Sequence, residues 1–99
     1  MTNFKTITIM TTKELKQLLT ENRNVRVRLN EWELVRNLDA MSGETIYVNN
    51  SYRVEKSEAF SDSNEGIKFF MSKISYQKSF LKRKNIPTSS LGLEILINN

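Results

Sequence analysis

Between Asp62 and Lys84 the chain carries one long run of helical periodicity, roughly a quarter of its length. At about 100° per residue, Ile67, Phe70, Met71, Ile74 and Leu81 line one side of that run. A helix of this kind is held mainly by burying its apolar stripe, so the chain must also supply a surface for it to lie on. Asp62 or Ser63 begins the helix. Asn85-Ile86-Pro87 ends it near Lys84, because proline cannot continue the hydrogen-bond ladder.

The rest of the sequence reads as short elements. Phe4 to Met10 alternates, with β-branched Thr and Ile, and predicts a strand. Thr11 caps a helix with Glu14 as its capping-box partner. Leu15, Leu18 and Leu19 share one side of that helix, which ends near Asn22. In "NVRVRLN", Val25, Val27 and Leu29 alternate with Arg26 and Arg28, again a strand. Asn30 then reads as the cap of a second helix, with Glu33 at the matching position. Its buried stripe would be Leu34, Val35, Leu38 and Met41, with Trp32 beside it, and Ser42-Gly43 would stop it. Ile46 to Val48 and Ser51 to Glu55 predict a hairpin around Asn49-Asn50, since asparagine tolerates positive φ. Lys56 to Asp62 is a polar connection. Leu91, Leu93, Ile95 and Ile97 alternate as a last strand. The expected fold is α+β, a single domain over residues 1–99 with the order β-α-β-α-β-β-α-β. Its sheet should be mostly antiparallel, with the long C-terminal helix packed on it.

At 99 residues, with 38% apolar and 26% charged residues, the chain suits one modest core. It has no cysteine and no histidine. Disulfides, thiol nucleophiles, the common zinc sites and the usual neutral-pH proton shuttle are all excluded. Gly43, Gly66 and Gly92 are too scattered to build a phosphate loop. Glu14-Leu15-Lys16 has an E-x-K look, but lies on a helix without an acidic partner upstream. No cofactor or metal is expected, and the chain reads as non-enzymatic. "MTNFKTITIM" has no signal-peptide character, and no stretch has the length and hydropathy of a membrane span. A cytoplasmic location is the expectation. Met10-Thr11-Thr12-Lys13 also reads like a natural start, which would remove the first strand.

The net charge of +4 is unevenly placed. Residues 1–65 hold nine bases and ten acids, whereas residues 66–99 hold six bases against Glu94 alone. The surplus is Lys68, Lys73, Lys78, Lys82, Arg83 and Lys84, on the long helix. Part of it suits the helix macrodipole, with Asp62 and Glu65 at the start and the cations at the end. The same helix carries a second stripe, Phe69, Tyr76 and Phe80, read as lying on the side opposite the first. Lys73 and Lys84 flank it on one edge and Arg83 on the other. Such a stripe is either buried under a second layer or an exposed aromatic ridge edged with cations, able to anchor a protein partner or stack on bases. Arg26 and Arg28 form a lesser cationic patch on the wet side of their strand, with Glu31, Glu33 and Glu55 as neighbours in prospect.

"TTKELKQLL", "NEWELVRNLDAM" and "ETIYVNNSYRVEK", taken in order, loosely resemble the helix-helix-wing arrangement of excisionase-type DNA-binding domains. The similarity covers about half the chain. It departs where strand-patterned "VRVRL" stands in place of the short turn. It departs again in the would-be recognition helix, where Glu31, Glu33 and Asp39 outweigh Arg36. No family is assigned on it.

Two functions are expected. The first is an inhibitor or adaptor that occupies a surface on a larger protein or nucleoprotein complex. Small asparagine- and lysine-rich chains of phages and mobile elements block host nucleic-acid machinery in this way, as anti-CRISPR proteins do. The second is direct DNA or RNA binding through the basic third helix and the Arg26/Arg28 face. For either, the candidate contact residues are Phe69, Lys73, Tyr76, Phe80, Arg83 and Lys84, followed by Arg26 and Arg28.

Overall fold

The computed structural model describes residues 2–7, 11–37, 45–87 and 91–98, with side chains described over 11–36, 45–87 and 91–97. In chain order the elements are β1 (Thr2–Ile7), α1 (Thr12–Glu21), β2 (Asn24–Leu29), β3 (Trp32–Asn37), β4 (Ile46–Asn50), β5 (Glu58–Phe60), α2 (Ser63–Arg83) and β6 (Leu93–Asn98). A single 3-10 turn, Val54–Lys56, precedes β5. The strands form one six-stranded sheet in the order β1-β6-β2-β3-β4-β5, and every pairing is antiparallel. The α+β class, the antiparallel sheet and the long helix packed on it match the sequence expectation.

Helix limits follow local chemistry. The Glu14 amide donates to Thr11 Oγ1 at 3.1 Å, and the Thr11 amide donates to Glu14 Oε1 at 3.1 Å, completing the capping box of α1. At the other end the Asn22 amide and side chain both donate to the Leu18 carbonyl. The Arg36 guanidinium donates to the Asn22 carbonyl, placing a cation where the helix dipole is negative. For α2, Asp62 Oδ1 accepts from the Asn64 amide at 2.9 Å. Its C-terminus is closed one step before Pro87. Asn85 takes φ 58°, and the Asn85 and Ile86 amides return to the Lys82 and Leu81 carbonyls. This 5→2 and 6→1 pair is a Schellman closure, with asparagine in the left-handed position.

The second expected helix does not form; residues Trp32–Asn37 are strand β3. The reason lies at Asn30, whose φ of 51° is left-handed. A helix N-cap needs extended backbone at that position. Instead Asn30 and Glu31 make a two-residue turn that folds β3 back on β2, with Leu29 opposite Trp32 and Val27 opposite Leu34. Leu34 then sits between Val27 and Val48 in register, and all three are buried. The segment can no longer supply a recognition helix, so the winged-helix resemblance fails at its central element. The expected positions Leu38 and Met41 lie outside the described residues.

The hairpin after β3 also differs in its limits. Strand β4 runs through Asn49 and Asn50, and Ser51 to Lys56 form a loop rather than a returning arm. The Asn50 side chain is 3% exposed, and its Oδ1 accepts from the Tyr52 and Arg53 amides at 3.0 and 2.7 Å. The Ser51 amide donates to the Glu31 carbonyl at 2.8 Å, tying this loop to the β2–β3 turn. Asn50→Ala strands two backbone donors and is expected to cost about 1–3 kcal/mol. Urea unfolding measures that loss, and hydrogen exchange should quicken first at residues 52 and 53.

The core lies on one face of the sheet. Val25, Val27, Leu29, Leu34, Ile46, Val48, Leu93 and Ile95 meet Leu15 and Leu19 of α1 and Ile67, Phe70, Ile74 and Leu81 of α2. Helix α2 approaches β4 and β5 closely at Gly66. A Cβ there would lie 3.1 Å from Ile46 Cγ2 and 3.3 Å from Phe60 Cβ. Glycine at this position sets how low the helix can sit on the sheet. The opposite face of the sheet is not covered by any described element.

Candidate functional site

The aromatic stripe of α2 divides into two parts with different surroundings. Phe69 is half-buried and packs against the core. Its ring lies 5.3 Å from Phe60 and 5.9 Å from Trp32, the latter in an edge-on geometry. Lys73 Nζ lies 4.5 Å from the centre of the Phe69 ring and 4.7 Å from that of Trp32. Lys73 therefore covers an aromatic cluster joining α2, β3 and β5, a cation–π contact with a structural use. Phe69 is the centre of that cluster, and Trp32 reaches it because β3 is a strand, which puts Trp32 on the same side of the sheet as Leu34.

Two and three turns beyond Phe69, the stripe opens to solvent. Tyr76 is 65% exposed and Phe80 is 37% exposed. Lys84 Nζ lies 5.9 Å from the Phe80 ring centre, and Lys82, Arg83 and Lys84 are all exposed. The helix thus ends in an accessible ridge, two aromatic rings flanked by Arg83 and Lys84, while Lys82 lies about 140° round the helix from them. Its lower half is anchored by Phe69 and its end by the Asn85 closure, so the ridge is presented on a rigid rod.

Arg26 and Arg28 do not join that ridge. They project from the uncovered face of the sheet, opposite the side of Val25, Val27 and Leu29. Arg28 meets Glu33 Oε2 at 3.1 Å and Arg26 meets the same oxygen at 3.6 Å. Solvent-exposed pairs of this sort contribute at most about 1 kcal/mol each. Their effect on the surface potential is larger. Across the sheet Arg28 is also in register with Glu94, so two cations face two carboxylates and the patch has no net charge. A shallow cavity of about 70 Å³ lies between Arg26, Arg28, Glu94 and Leu96.

The sequence pattern does not single out several other exposed residues. Tyr52 is 83% exposed and Val54 is 75% exposed, both on the loop braced by Asn50. The sequence pattern predicts them in an arm of a hairpin, where one of the two faces would be covered. Their signal was the asparagine pair before them, which marks a turn equally well as a tight hairpin or as a longer loop. Glu33, read as a helix cap, is the carboxylate that holds both arginines.

Among the described residues no group of three or more acidic, histidine or cysteine side chains is placed to hold a metal ion. No described helix is long and apolar enough to cross a membrane. No family model, curated protein or solved structure matches the chain.

Proposed function

We propose that this chain is a small non-enzymatic binding protein that acts as an inhibitor or adaptor by occupying a surface on a larger partner. The observation that carries the proposal is the exposure of Tyr76 and Phe80 with Arg83 and Lys84 at their edges, at the end of α2. Aromatic rings with arginine at their edge are the side chains that dominate protein–protein binding energy. The cations suit a partner surface that is acidic around an apolar cleft. A chain of this type fits a phage or mobile element, acting in the cytoplasm on host nucleic-acid machinery in the manner of anti-CRISPR proteins.

The alternative, direct DNA or RNA binding, draws on the same cations. It loses its second surface, because Glu33 and Glu94 neutralise the Arg26/Arg28 face. A single helix end with a few cations is a short track for a phosphate backbone.

Capture of partners from host extract, with and without nuclease, separates the two readings. A protein retained after nuclease treatment, and bound again when purified, supports the first. For the purified complex we expect a weak salt dependence. Phosphate-led binding through four cations to duplex DNA has a log–log slope of about −3.6. A slope that steep, or loss of all partners with nuclease, favours nucleic acid.

A further inference from the structure

We infer that the uncovered sheet face is a two-fold interface between two copies of this chain. The face is built of two rows that cross the strands. One row, in register across β4, β3, β2 and β6, is Tyr47, Val35, Arg26 and Leu96. The next is Asn49, Glu33, Arg28 and Glu94. The first is apolar apart from Arg26, and the second is polar with alternating sign.

Charge selects a second copy as the occupant. The chain carries a net +4, with six cations on α2 and the residue that follows it. Two copies therefore repel when their helices approach. The sheet face holds Arg26, Arg28, Glu33 and Glu94, which sum to zero. It lies on the side of the sheet away from both helices. Joining two copies through this face keeps the cationic helices on the two outer surfaces, as far apart as the fold permits.

Shape agrees with charge. Tyr47 stands on β4, on one side of β3, and the cavity between Arg26 and Leu96 lies on the other side. A two-fold axis along β3 sets Tyr47 of each copy over that cavity in the other, its ring against guanidinium groups. The same axis sets Val35 and Glu33 of β3 against their own counterparts, and Arg28, one strand aside, reaches Glu33 of the other copy as well as its own. Each contact off the axis then occurs twice, as an isologous interface requires. The strands of the two sheets run nearly aligned, the usual geometry for stacked sheets. The dimer displays two α2 ridges pointing in opposite directions, so any partner bound by the ridge is bound twice.

Light scattering and sedimentation on the full chain, from micromolar to millimolar concentration, test this directly. The mass should rise from one chain to two. Val35→Arg places a second cation in the apolar row and should hold the chain as a monomer. Tyr47→Glu, at a position 37% exposed, should do the same without disturbing the melt. Arg28→Glu alone and Glu33→Arg alone should each weaken association by roughly tenfold, since they set like charges opposite each other. The two together in one chain should restore it. A wild-type mass of one chain at every concentration overturns the inference. So does a dimer that survives both Val35→Arg and Tyr47→Glu, which would join through another surface such as the outer edge of β1.

Discussion

Phe70→Ala is expected to remove about 3–5 kcal/mol of stability, the largest loss available from a single side chain here. Phe70 has no exposed surface and lies where α2 meets the sheet. Losing its ring removes the transfer free energy of the buried carbons and leaves a cavity that neighbouring side chains fill only in part. A domain of this size has a total stability of roughly 5–15 kcal/mol, so the variant should unfold well below the wild-type melting temperature or fail to accumulate. Tyr76→Ala is the control. It is one and a half turns further along the same helix and mostly exposed, so it should shift stability by no more than about 0.5 kcal/mol. Comparable losses for the two variants, read by urea unfolding, would show that Tyr76 is covered and that the ridge is not a free surface.

Loss of binding is the second large effect. With the partner recovered by nuclease-resistant capture, Tyr76→Ala and Phe80→Ala are each expected to weaken the complex by about 2 kcal/mol or more, roughly 30-fold. Both rings lie on the part of α2 that leaves the core, so the change should appear in the dissociation rate with the fold intact. Phe69→Ala and Lys73→Ala behave differently on the same helix. Phe69 meets Trp32 and Phe60, and Lys73 covers Trp32 and Phe69, so their main effect should be on stability. Arg83→Ala should weaken binding less than either ring and mostly through association rate, as is usual for charges at a rim. If the two ring variants bind as tightly as wild type while remaining folded, the contact surface is elsewhere. The braced Tyr52–Val54 loop would then be the next surface to test.

Much of this molecule is legible from local pattern. The capping box at Thr11 and Glu14 places the start of α1, and Asp62 places the start of α2, because capping depends only on residues a few positions apart. The strand containing Arg26 and Arg28 follows from strict alternation, which assigns one face to water and the other to the core. Spacing along α2 joins Phe69, Tyr76 and Phe80 in one stripe. It cannot say that Phe60 and Trp32 come from distant points of the chain to cover the first and leave the other two bare.

The segment after Leu29 shows the limit most clearly. Trp32, Glu33 and Leu34 alternate but Val35 and Arg36 break the alternation, and leucine, glutamate and arginine favour helix in isolation. The outcome rests on pairing with β2 on one side and β4 on the other, and on the left-handed backbone at Asn30. A strand's hydrogen bonds go to neighbours that the local sequence does not contain, whereas a helix satisfies its own. By itself the sequence determined the absence of thiol and imidazole chemistry, the limits of both helices, and the gathering of surplus charge on α2. Only the tertiary structure decided that Trp32–Asn37 is a strand, that Glu33 neutralises the arginine face, and that Tyr76 and Phe80 stay in solvent. The physical reason is the same in each case: these properties depend on contacts between residues far apart in the chain, and composition and period carry no record of which distant residues meet.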